Sequence, residues 1–223
     1  MRRVLFWRHG QTSWNKAGRF QGQTDIELDA VGHEQARRAG ELLASLRPQA
    51  ILSSDLLRAR QTASYLAEAT GLTPGTDARL RETFAGDWEG LTFAQIDERF
   101  PRDSEAWKAG AVNTRPGGGE SREEVGARVS DAVTEAVQPL GSDALLVVVT
   151  HGGAVRSGLA ALLNLPEKYW GVLSGTANCH WSVIEEHRGA FWGGSDGTGG
   201  QLSWRLTEHN AGSLPEPVLA PEG

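Results

Sequence analysis

The stretch ALLVVVTHGG, residues 144–153, constrains the fold of this chain more than any other. Five apolar residues, Leu145 to Val149, run unbroken and end abruptly at Thr150-His151-Gly152-Gly153. A short, β-branched apolar run bounded by turn residues reads as a strand buried on both faces, which needs a sheet with helices on each side. Two other runs share the same plan. Residues 3–7 read as a strand, apolar from Val4 to Trp7, that stops at Arg8-His9-Gly10, and Ala50-Ile51-Leu52-Ser53 stops at Ser54-Asp55.

Helical segments lie between these runs. One spans residues 30–46, with Pro48 just beyond it, and another spans 55–69 and stops at Gly71, a helix C-terminal signal. Ser121-Arg122-Glu123-Glu124 is a capping box that predicts a helix from there to about Val137. A further helix follows Gly153 and ends near Asn164, ahead of Pro166. Residues 179–184 and 202–207 alternate as late strands. Strands separated by helices predict an α/β chain: a three-layer α/β/α sandwich around a mostly parallel central sheet. No linker composition divides the chain, so one domain over residues 1–209 is expected, with a flexible tail over 210–223 and a mobile Gly-rich loop over 193–200.

The bulk chemistry narrows the partners. A net charge of −6 over 223 residues argues against nucleic acid, whose binders carry basic faces, but leaves room for a locally cationic pocket. Cys179 is the single cysteine, so a disulfide framework is excluded and a reducing cytoplasmic setting is expected. The longest apolar run, Ala144 to Val149, is too short for a bilayer. The apolar residues after Arg2-Arg3 are cut off by Arg8-His9 well short of the length a signal peptide needs. No membrane association is expected.

Ligands of such sheets sit outside the carboxyl ends of the strands. That rule gathers Arg8 and His9 after the first strand, Ser53-Ser54-Asp55 after the second and His151 after the third. Arg58 would lie about one turn into the second helix, whose N-terminus would also face a bound anion; Asn15 and Gln21 lie in the loop after the first strand. Two arginines and two histidines in one crevice suit a dianion, and the guanidinium fork matches phosphate oxygens. Neighbouring arginines disfavour imidazolium and so keep a histidine nucleophilic. Taken singly, His9 reads as a surface histidine, and Glu82, flanked by Arg79 and Arg81, as a surface ion pair. Other patterns carry less. Gly193-Gly194-Ser195-Asp196-Gly197 has the letters of a serine-nucleophile turn without a following helix, and His33-Glu34 lacks the second histidine of a zinc helix. Trp7, Trp14, Trp88 and Trp170 are candidates for the substrate side of the pocket.

WRHGQTSWN, QGQTDIELDAVGHEQA, SSDLLRARQTA, LRETFAGDWEGLT, GGGES and VVVTHGG together, in this order, resemble the histidine phosphatase superfamily, with its phosphoglycerate mutase-like fold. The resemblance is close over residues 2–165 and looser to about 209. It implies that His9 is the nucleophile that becomes phosphohistidine, and that Arg8, Arg58 and His151 hold the phosphoryl group. It implies that Glu82 donates the proton to the leaving oxygen and later activates water, with Asn15, Gln21, Gly22 and Gly152 as further phosphate contacts. No metal and no cofactor is required by this scheme, and a homodimer is suggested without any interface that the residues identify. Cofactor-dependent mutases of the family read RHGES, where this chain has Arg8-His9-Gly10-Gln11-Thr12, and carry GLNK after the glutamate, where this chain has Gly86 to Thr92. Both departures favour a phosphomonoesterase acting on a small phosphorylated metabolite. Glucosyl-3-phosphoglycerate is foremost among the expected substrates, with other small esters such as α-ribazole phosphate, a mutase and a non-catalytic phospho-ligand sensor as alternatives.

Overall fold

Every residue from Leu145 to Thr150 is buried, as a strand in the middle of a covered sheet must be. The computed structural model describes residues 1–187 and 203–213. Its first half runs β1 (Arg3–Arg8), a short α1 (Ser13–Lys16), α2 (Ala30–Ala44), β2 (Ala50–Ser53), α3 (Leu57–Thr70) and β3 (Gly75–Thr76). Its second half runs α4 (Phe93–Arg99), α5 (Pro101–Lys108), α6 (Arg122–Val137), β4 (Leu145–Thr150), α7 (Gly152–Leu162), β5 (Trp181–His187) and β6 (Ser203–Ala211). The strands form one sheet in the order β3-β2-β4-β1-β5-β6. β1, β2, β3 and β4 are mutually parallel, and β5 and β6 add an antiparallel edge.

Side chains on successive strand residues point to opposite faces, and each face has its own core. Val4, Phe6, Leu146 and Val148 pack with Val125, Val129 and Val133 of α6 and Val155 and Leu159 of α7. Leu5, Trp7, Val147 and Val149 pack with Ala36, Ala39 and Leu43 of α2 and Ala59, Ala63 and Leu66 of α3. This is the expected three-layer α/β/α sandwich. The helices sit close: a Cβ at Gly158 would lie 2.4 Å from Val129 Cγ1, so α6 and α7 touch through that glycine.

The capping box is present, with Ser121 Oγ accepting from Glu124 N and Glu124 Oε2 accepting from Ser121 N. Gly71, at φ 73°, ends α3 as its position predicts. α3 begins at Leu57 rather than Asp55, and the Leu57 N–H donates to Asp25 Oδ1 at 2.7 Å. That bond gives this helix N-terminus a protein carboxylate as its partner, where an anionic ligand was expected. Helices α4 and α5 have no counterpart in the sequence reading. They cover a satellite cluster of Ala85, Trp88 and Ile96 packed with Phe20, Phe100 and Trp107. β6 continues through Asn210 and Ala211, past the boundary expected at 209, and Asn210 Oδ1 accepts from Ala177 N. The Gly-rich loop over 193–200, with its serine pattern, and residues 214–223 of the expected tail lie outside the described residues.

Candidate active site

Parallel pairing sets Arg8 of β1 beside Thr150 of β4, so the residues that follow both strands emerge together. His9 N donates to Thr150 O at 2.9 Å, and the His9 and His151 rings lie 5.1 Å apart. Gly10 allows the turn: a Cβ there would be 2.5 Å from the Gly32 carbonyl oxygen. His9 is 2 % exposed, and its Nδ1 lies 2.7 Å from Gly10 O. A carbonyl can only accept, so Nδ1 carries the proton and Nε2 keeps its lone pair. Burial, then Arg58 and Arg8, push the His9 pKa well below its usual value, leaving a neutral ring.

Arg58 is fully buried. Its Nη1 donates to Thr24 O at 2.9 Å, its Nη2 to Gly22 O at 2.8 Å and its Nε to His151 Nδ1 at 3.2 Å. Burial draws its pKa down to about 10, which still leaves it charged at neutral pH. Because His151 Nδ1 accepts, its Nε2 bears the proton and donates to Ser54 Oγ at 2.8 Å. Burial and Arg58 hold this ring neutral as well, its pKa being well below the usual range. Arg8 Nη1 donates to Thr176 O at 2.5 Å, while its buried Nε has no protein acceptor.

Glu82 comes from the segment between the short 3₁₀ turn Ala78–Leu80 and α4. One oxygen accepts from its neighbour's backbone, Thr83 N at 2.8 Å, and the other from Gly153 N at the start of α7, at 3.0 Å. The surface ion-pair alternative fails, because Arg79 pairs with Asp77 and Glu135, and Arg81 with Asp55. A cavity of about 340 Å³ opens above these groups, lined by Arg8, His9, Asn15, Gln21, Gly22, Arg58 and Glu82, with Asn178 and the wall of residues 18–20 and Phe93. That volume suits a small organic ligand. Among the described residues no group of three or more His, Cys, Asp or Glu side chains could hold a metal ion, and no helix is long and apolar enough to cross a membrane.

Seven of the nine residues expected at the site line the cavity. His151 and Gly152 lie behind it: both ring nitrogens of His151 are engaged by protein, and Gly152 packs where a Cβ would be 3.4 Å from Arg8 Nε. None of the four tryptophans lines it. Trp7 and Trp88 are core residues, Trp170 packs in the α6–α7 core and Trp14 lies against Gly90; Phe20 and Phe93 supply the aromatic wall.

Three supporting groups escape sequence reasoning. Asn178 Nδ2 donates to His9 O at 3.0 Å and to Asn15 Oδ1 at 3.3 Å, so it ties the His9 backbone to the neighbouring loop. Glu89 accepts from Gln23 N, Thr24 N, Thr24 Oγ1 and Ala85 N, fixing the loop whose carbonyls hold Arg58. Arg128 donates to the carbonyls of Arg79, Arg81 and Glu82 and to both oxygens of Glu120. Two had a nearby signal: Glu89 lies within LRETFAGDWEGLT, and the GGGES block, which holds Glu120, leads into the capped helix of Arg128.

A neutral histidine at a strand end, set beside two arginines in a cavity, defines a class, and the comparisons agree with it. Residues 4–193 match the model of the histidine phosphatase superfamily (branch 1), and the chain belongs to that family. It is similar to the glucosyl-3-phosphoglycerate phosphatase of Mycobacterium tuberculosis, 44% identical over 221 residues and covering 94% of this chain and 95% of that protein. A solved structure of mycobacterial glucosyl-3-phosphoglycerate phosphatase in complex with VO3 superposes with a TM-score of 0.85 at 42% identity, covering 95% of this chain and 100% of that one. A probable phosphoglycerate mutase of Salmonella paratyphi C is 40% identical over 171 residues, 74% of this chain and 77% of that protein.

Proposed function

We propose that the protein removes phosphate from glucosyl-3-phosphoglycerate, or a closely similar small phosphate monoester, through a phosphohistidine at His9. The observation that carries the reading is His9 itself, a neutral ring anchored through Nδ1 beside the buried Arg58 and the half-buried Arg8, whose Nε–H no protein atom accepts. The Nε2 lone pair forms the P–N bond while the ester P–O bond breaks. The leaving oxygen takes a proton from the Glu82 carboxyl. Water then forms a new P–O bond as the P–N bond breaks, and its proton returns to Glu82. Arg8, Arg58, Asn15 and Gln21 bind the phosphoryl oxygens, and fixed donors of this kind are each worth about 10²–10³ in rate. His151 and Gly152 keep Arg58 and Arg8 in register from behind. The scheme is two in-line transfers that ask the protein for positioning and charge stabilisation.

The glucosylated substrate is supported by the names of the relatives that match along the chain. The single cysteine favours a reducing cytoplasm, and we propose a homodimer, whose mass would be read by sedimentation. The test is phosphate release in chelator from glucosyl-3-phosphoglycerate and 3-phosphoglycerate, side by side. We expect kcat/KM above about 10⁴ M⁻¹s⁻¹ on the glucosylated ester, a clear preference for it, and no turnover by His9→Ala. Slow, indifferent hydrolysis of both esters sinks the substrate, and conversion of 3-phosphoglycerate to its isomer without phosphate release sinks the phosphatase.

A further inference from the structure

The phosphoryl end of the cavity is complete without Arg19, Phe20 and Phe93, yet the same cavity extends to them. Their position is built by a short antiparallel pairing. Arg19 bridges Thr92, Phe20 N donates to Leu91 O at 2.9 Å, and Gly90 N donates to Phe20 O at 2.8 Å. Strand-like pairing makes this wall rigid, and Phe20 is braced from behind by Trp88 and Trp107, with ring centroids 5.9 and 6.1 Å away.

Two features of the wall face outward unsatisfied. Phe93 is 52 % exposed although it stands 6.2 Å from Phe20 and borders the cavity. A large aromatic ring left in water beside a polar cavity is a surface waiting for an apolar face, and the C–H face of a pyranose is one. Arg19 is exposed at the cavity mouth, and its Nη1 donates to Gly90 O at 2.6 Å. No ion pair among the described residues involves it. The carbonyl fixes one arm of the fork and leaves the other donors for an acceptor such as a carboxylate.

We infer that Arg19 and Phe93 form the subsite for the organic half of the ester, Arg19 reading a carboxylate and Phe93 stacking on a sugar ring. The substrate class is therefore a phosphate monoester that carries both a carboxylate and a glycosyl group. The inference rests on the phosphatase reading above and sharpens it. Charge separates the two ends: Arg8 and Arg58, deep in the cavity, take the dianion, and Arg19 at the rim takes the second, weaker anion.

The test measures kcat/KM for three esters: glucosyl-3-phosphoglycerate, 3-phosphoglycerate and glycerol 3-phosphate, which lacks the carboxylate. Arg19→Ala should lower the 3-phosphoglycerate to glycerol 3-phosphate ratio about tenfold or more, the usual scale for a charge-assisted bond, mainly through KM. Arg19→Lys should recover part of it. Phe93→Ala should lower the glucosylated to unglucosylated ratio several-fold and leave the carboxylate ratio in place. Equal losses on all three esters, or unchanged ratios, would overturn the subsite while leaving the phosphatase intact. Absence of phosphate release from every ester by the unaltered protein would instead bring down the phosphatase reading, and this inference with it. Competitive inhibition by inorganic phosphate checks that each variant keeps its phosphoryl end folded.

Discussion

Replacing Glu82 by glutamine separates the two roles proposed for it, acid in the first transfer and base in the second. Both carboxylate oxygens accept backbone N–H groups, from Thr83 and from Gly153. An amide keeps one acceptor and turns the other position into an NH₂ that faces an N–H. One hydrogen bond is lost and two donors oppose each other, at a cost of about 1–3 kcal/mol in stability. The chemical loss depends on the leaving group. An alkoxide departing from an alkyl phosphate needs the Glu82 proton, and a positioned acid is worth about 10²–10⁴. A p-nitrophenolate leaves without help.

The first transfer to His9 should therefore survive in Glu82→Gln with p-nitrophenyl phosphate and nearly vanish with 3-phosphoglycerate. The second transfer still lacks its base. Stopped-flow mixing should show a burst of p-nitrophenolate close to one equivalent per site, then slow turnover, with acid-labile phosphate accumulating on the protein. The alkyl ester should give no burst. Equal first-transfer losses with both esters would refute Glu82 as proton donor, and a burst without protein-bound phosphate would refute the covalent path through His9.

Two further outcomes concern groups whose effect reaches beyond direct contact with substrate. Arg128→Met removes donors from the carbonyls of Arg79, Arg81 and Glu82 and an ion pair with Glu120. It should cost about 2–4 kcal/mol, read from urea midpoints, and slow alkyl esters more than p-nitrophenyl phosphate, because it displaces Glu82 and leaves His9 in place; a uniform loss would make Arg128 merely structural. His9 and His151 have folded pKa values well below their usual range, so protons bind the unfolded chain more readily. Their contribution is fully present above about pH 6.5 and fades as pH falls from there toward the folded values, at up to about 1.4 kcal/mol per pH unit for each ring. His9→Gln should flatten the pH dependence of stability between about pH 5 and 6.5 relative to the unaltered protein; an unchanged slope would show that folding does not depress the His9 pKa.

Strand ends and local spacing are the parts of this fold that the sequence makes legible. Apolar runs stopping at Arg8-His9, Ser53-Ser54 and Thr150-His151 place those groups on one edge of a parallel sheet, because parallel strands bring equivalent ends together. Helix limits such as Ser121 and Gly71 are written in caps, and both appear where expected. The helices over 93–108 leave a fainter trace. α4 is only seven residues long, and its one fully buried residue is Ile96, which packs on Trp88, outside the helix. A helix that short carries too little periodicity to register.

The tryptophans mislead for a related reason. Composition says that an aromatic ring is near a pocket, but the side of the backbone it takes is decided by tertiary packing. Trp88 turns inward to brace Phe20, and the smaller ring faces the cavity. The supporting carboxylates and guanidinium are hidden for the opposite reason. Glu89 and Arg128 act mainly on backbone atoms, and nearly any residue can present an N–H or a carbonyl, so no residue type at most of the receiving ends marks them. The chemistry of the site is thus readable from residues that act through distinctive side chains. Its rigidity is not, because it depends on Glu89 holding the 22–24 loop and Arg128 holding the 79–82 segment. Those two segments carry, respectively, the carbonyls that fix Arg58 and Glu82, the acid proposed for the leaving oxygen. A chain could keep RHG, Arg58, Glu82 and VVVTHGG and still lose its catalytic geometry if either clamp were replaced. The motifs name the reaction, and the backbone clamps decide whether this fold can carry it out.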